Sequence, residues 1–74
     1  MEAFNNRGNA KIALGEHRDA IADYNEAIKI NPKDAIAFNN RGKAKLRIGD
    51  KEGAVKDFQE ANKIDPDMEI PDIE

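Results

Sequence analysis

Laid over itself at an offset of 34 places, this sequence repeats. Residues 1–32 and 35–66 are identical at 16 of 32 positions, including the blocks AFNNRG at 3–8 and 37–42 and the pairs AK at 10–11 and 44–45. A fixed period of this length means that one supersecondary unit is used twice, and such units bury their apolar faces by stacking on one another. Whatever fold one unit adopts, the other must share. The chain therefore divides into a first unit at 1–34, a second at 35–66 and an acidic tail at 67–74.

Inside each unit the apolar residues follow a helical period. Phe4, Gly8, Ala10 and Leu14 precede Gly15, and Ala20, Ile21, Tyr24, Ala27, Ile28 and Ile30 follow it, at spacings of three and four that mark one face of a helix. The pattern predicts helices over 2–14, 18–30, 36–48 and 52–64. Gly15 and Gly49 suit the left-handed residue that ends a helix; Asp50 is a good N-cap for the last helix, and Glu16 a poorer one at the equivalent place. Asn31-Pro32 and Asp65-Pro66 close the second helix of each unit, because proline disfavours helical backbone in the residue before it. Gly8 with Ala20, and Gly42 with Ala54, are the expected close crossings, with Phe4, Tyr24, Phe38 and Phe58 filling the remaining space. The expected fold is all-α, an α-solenoid of two helix-turn-helix repeats with four antiparallel helices.

The motif resembles the tetratricopeptide repeat family. That family's pattern sets a large aromatic, Leu-Gly, Tyr, Ala, an aromatic, Ala and Pro at fixed intervals across its repeat. The matches are Phe4, Gly8, Ala20, Tyr24, Ala27 and Pro32, then Phe38, Gly42, Ala54, Phe58, Ala61 and Pro66. Arg7 and Arg41 stand where the pattern has Leu, and Lys11 and Lys45 where it has Tyr. Their aliphatic stems can cover apolar surface while the charged heads reach water.

The resemblance implies a protein-interaction module in which first helices line a concave groove and an extended peptide lies across them. Carried over by position, the groove residues are Asn5, Asn6, Asn9, Asn39, Asn40, Lys43 and Arg47, with Glu2, Ala13 and Ile36 beside them. An Asn side chain offers both donors and an acceptor, which suits it to the backbone amides of a peptide. Lys43 and Arg47 are four residues apart and so placed to hold a carboxylate. Asn9 and Asn40 also match the chaperone-tail clamp of some relatives, but Asn5 does not, and that clamp uses a third repeat.

Other function classes find less support. The lone histidine, His17, falls in a turn, and Asp19 and Asp23 have no accompanying base or nucleophile, so neither a catalytic set nor a metal site is expected. The glycines are explained by packing and helix ends rather than by a phosphate loop, and no cofactor is expected. Residues 65–74 carry five acids and no base, leaving 12 bases against 10 acids in residues 1–64. That excess is too small and interspersed for a nucleic-acid surface. With no cysteine and no apolar stretch long enough for a membrane span, the expected location is cytoplasmic, away from the membrane.

Two units without a capping helix leave apolar faces uncovered, so a second expectation is structural. The chain would be a self-assembling unit, or a fragment of a longer array, that forms homo-oligomers through Val55, Phe58 and Ile64. Ile70 and Ile73 of the tail are candidates to lie in the groove of a neighbour.

Overall fold

Helices α1 (Glu2–Ala13), α2 (His17–Ile30), α3 (Ala35–Arg47) and α4 (Lys51–Ile64) follow one another along the chain, and no strand occurs among the described residues. The computed structural model describes residues 2–68. Met1 and residues 69–74, with the tail positions Ile70 and Ile73, lie outside them. Every observed helix boundary falls within one residue of the sequence expectation.

Helix ends are set by a few side chains. Gly15 (φ 81°) and Gly49 (φ 86°) adopt the left-handed backbone that lacks a steric penalty only in glycine. Around them the N–H of Glu16 donates to the carbonyl of Lys11 at 2.8 Å and that of Gly15 to Ile12 at 3.0 Å. The same pair recurs from Asp50 to Lys45 at 2.8 Å and from Gly49 to Leu46 at 3.1 Å. These doubled bonds satisfy the last free carbonyls of α1 and α3. At the N-termini, Asp34 accepts from the Ala37 N–H at 3.2 Å and Asp50 from the Gly53 N–H at 2.9 Å. Glu16 makes no side-chain cap bond.

Each short turn folds a pair of helices into an antiparallel hairpin, α1 with α2 and α3 with α4, and α3 also packs on α2. The core is built from seven buried alanines, at 20, 27, 35, 37, 44, 54 and 61, around Tyr24, Phe38 and Phe58. Small side chains let the helices approach closely, and the rings fill what is left. The glycines have different partners from those expected. A Cβ on Gly8 would lie 2.6 Å from the Tyr24 ring, and one on Gly42 would lie 2.7 Å from the Phe58 ring, so each glycine seats an aromatic of the second helix. Across the α1–α2 hairpin it is the Tyr24 ring that lies nearest position 8. Ala20 instead lies in the seam between units, clustered with Tyr24 and Ala44.

Phe4 is only half-buried, unlike the other three aromatics. Its counterpart Phe38 is buried in a cluster with Ala35 and Ala61, against which Ile28 of the preceding unit, Ile64 and Met68 pack. Among the described residues, nothing precedes α1 to do the same for Phe4.

Candidate functional site

The Arg positions that depart from the repeat pattern are paired with buried carboxylates. Arg7 grips Asp23 through Nη2 at 2.8 Å and Nε at 3.1 Å, and its guanidinium lies 5.6 Å from the centre of the Phe4 ring. Arg41 holds Asp57 through Nη2 at 2.7 Å and Nε at 2.9 Å and lies 5.3 Å from the Phe38 ring centre, and Lys45 Nζ pairs with the same Asp57 carboxylate at 3.2 Å. The Asp23 carboxyl is held below its ordinary range first by the hydrogen bonds from Arg7, with the charges of Arg7 and Lys11 adding to the effect and burial opposing it. Asp23 therefore has the partner that spacing along one helix did not reveal. The arginine heads turn to these carboxylates instead of simply reaching water. Arg7, Arg41, Asp23 and Asp57 all survive in the self-comparison at an offset of 34, which was the available signal.

On the exposed side of the first helices, Asn9 and Ile12 of α1, Tyr24 of α2, and Asn40, Lys43, Ala44 and Arg47 of α3 line one hollow. Ile12, Tyr24 and Ala44 supply its apolar part, and the other four supply polar groups. The Tyr24 hydroxyl donates to Asn9 Oδ1, so the amide oxygen of Asn9 is engaged within the chain. Burial pushes the Tyr24 hydroxyl up to about 12, with the Asp23 charge adding to the shift, so at neutral pH it remains a donor. Four of the seven expected groove residues, Asn9, Asn40, Lys43 and Arg47, thus meet at one place. Asn6 is exposed and lies three residues before Asn9 on the same side of α1, as Asn40 lies three before Lys43 on α3.

Asn5 and Asn39 are placed elsewhere. Both are 8% exposed. Asn5 Nδ2 donates to Asp34 Oδ2 at 2.8 Å, tying α1 to the cap of α3. One residue of helix rotates a side chain by about 100°, which separates position 5 from position 6 and position 39 from position 40. Neither Asn5 nor Asn39 lines the hollow. Ile36 is 57% exposed, four residues before Asn40.

The expected self-association residues are dispersed in the same way. Phe58 is 3% exposed, seated on Gly42, so its ring is committed inside its own hairpin and does not form an open face. Ile64 is half-buried against Ala35, Phe38 and Ala61. Val55 is half-buried and lines an outward hollow on α4 with Lys51, Glu52, Lys56 and Gln59. His17 lines a shallow hollow at the α1–α2 turn with Gly15, Glu16, Arg18, Asp19 and Ile48. Among the described residues no three His, Asp or Glu side chains are grouped to hold a metal. No described helix is long and apolar enough to cross a membrane.

Comparison with known proteins agrees with the helical-repeat fold. A family profile described as TPR repeat matches residues 8–49, and one described as tetratricopeptide repeat matches residues 35–68. A search among curated proteins finds no match.

Proposed function

Since this chain belongs to the tetratricopeptide repeat family, whose repeats generally mediate protein–protein interactions, we propose that it binds an extended peptide segment carrying a carboxylate across its two units. The observation that supports this most is the hollow shared by α1, α2 and α3, which collects Asn9, Asn40, Lys43 and Arg47 from helices distant in sequence. The two amides bond the peptide backbone without reading its side chains. The two cations, one turn apart, supply charge-assisted hydrogen bonds to a carboxylate, stronger than neutral ones. Ile12 and the exposed Ile36 offer apolar contact to either side of this polar set.

The test is fluorescence polarisation with a panel of labelled peptides ending in acidic residues, each matched by a version with amides in place of the acids. Acidic peptides bind, and their amide versions bind more weakly. Lys43→Ala and Arg47→Ala each weaken binding by about tenfold or more, in line with about 1.5–3 kcal/mol for a hydrogen bond to a charged group. Their melting temperatures stay near that of the wild type because both side chains are exposed. Binding weakens with added salt. Equal affinity for both peptide sets, or affinity that survives both replacements together, removes this reading.

A further inference from the structure

The two units are nearly the same sequence in two different surroundings, which makes each position of α1 comparable with its counterpart in α3. Ala37 and Ala44 are fully buried, whereas Ala3 and Ala10 are exposed. The Arg41 side chain is 18% exposed and that of Arg7 is 62% exposed. Ile48 is half-buried against the α1–α2 turn, whereas Leu14 is 73% exposed. The difference is the presence of α2, which packs on α3 and has no counterpart on α1 among the described residues. In that junction Ala44 clusters with Ala20 and Tyr24, and Arg41 Nη1 donates to Asn25 Oδ1 at 2.8 Å.

The outward side of α4 carries the other half of the same junction. Val55 and Gln59 stand in the places of Ile21 and Asn25, with the fully buried Ala54 beneath them in the place of Ala20. Val55 and Gln59, with Lys51, Glu52 and Lys56, line an open hollow there. Lys51 and Glu52 occupy the places of His17 and Arg18, the first residues of α2, which share a hollow with Ile48.

We infer that the outer sides of α1 and α4 are complementary halves of one repeat junction, and that copies of this chain stack head to tail, α1 of one on α4 of the next. Ala10 of the incoming copy takes the place that Ala44 occupies in the internal junction, against the α4 backbone beside Val55. Leu14 rests at the α3–α4 turn, over Lys51 and Glu52. Arg7 keeps its grip on Asp23 and reaches the Gln59 carboxamide oxygen, as Arg41 holds Asp57 and reaches Asn25. The contact is heterologous and leaves a free α1 at one end and a free α4 at the other, so it grows without closing. It is weaker than the internal junction for two reasons. Asn62 replaces Ile28, and Met68 stands where Asp34 accepts from Asn5, so that bond is not repeated. Stacking is therefore concentration-dependent.

Light scattering on the whole chain over a concentration series tests this, with circular dichroism to establish that each variant is folded. The mean mass rises with concentration past that of two chains. Val55→Glu spoils only the α4 side, at a half-buried position on its outer hollow, and Ala10→Glu only the α1 side, at an exposed one. Each variant alone is monomeric at concentrations where the wild type associates, while their equimolar mixture forms dimers and nothing larger, because each supplies the side that the other lacks. A wild-type chain that stays monomeric throughout overturns the inference, as does a mixture that stays monomeric. Association of Ala10→Glu alone, which indicates twofold pairing through α4, overturns it too. Lys43→Ala/Arg47→Ala keeps the wild-type association, so a failure of the peptide-binding reading is distinguishable from a failure of this one.

Discussion

Asp23 and Tyr24 are adjacent in sequence, are both buried, and respond to pH at opposite ends of the scale. The carboxyl of Asp23 lies lower in the folded chain than in the unfolded one because Arg7 bonds its ionised form. Its contribution is therefore complete above the unfolded value of about 3.9 and disappears as the pH falls through the folded value. Thermal melts below about pH 4 should lose stability in the wild type and show a flatter pH dependence in Asp23→Asn. Equal acid limbs for the two proteins would show that the pair contributes nothing in water. The Tyr24 hydroxyl is shifted the other way, to about 12, chiefly because burial disfavours phenolate. Its contribution is complete below about pH 10 and is lost as the pH climbs toward the folded value. Tyr24 is the only tyrosine, so phenolate absorbance reports it alone. The expected result is a midpoint above the ordinary range, accompanied by loss of helix; titration in the ordinary range with the helices intact would contradict its burial.

Helix boundaries depend on local chemistry, and the two second helices offer a comparison within one molecule. Asp50 caps α4 through the Gly53 N–H, whereas Glu16, at the same place before α2, makes no side-chain cap bond. The extra methylene of Glu disfavours the short loop back to the backbone that Asp closes. Asp50→Ala should cost about 1 kcal/mol in urea unfolding, and Glu16→Ala much less. Comparable losses would mean that the Asp50 bond does not persist in solution. At this scale the sequence is highly legible, since glycine, proline and Asp act on their immediate neighbours, and the predicted ends came within one residue. What it missed were pairs that cross the hairpin. Gly8 seats Tyr24 and Arg7 holds Asp23 across the α1–α2 contact, and both depend on the offset at which two helices align. That offset follows from turn geometry and side-chain packing together, which spacing along a single helix does not report.

Across the whole molecule, repetition makes identical residues experience different environments. Ala44→Leu should cost about 1–3 kcal/mol by overpacking the seam with Ala20 and Tyr24. Ala10→Leu, its repeat counterpart on an open surface, should change stability by about 0.5 kcal/mol or less when measured on dilute, monomeric protein. Equal effects would show that the seam is loose. The sequence by itself determined that there are two units, that each is a helical hairpin, and where its helices end. Each of these follows from a period, either 34 residues along the chain or 3.6 around a helix. Only the tertiary structure decided that Asn5 turns inward to Asp34, that Phe58 is enclosed by its own hairpin, and that Arg7 and Arg41 differ in exposure. A period assigns the same face to every copy, but burial depends on what lies across from that face, and α3 has α2 beside it where, among the described residues, no helix takes that place on α1.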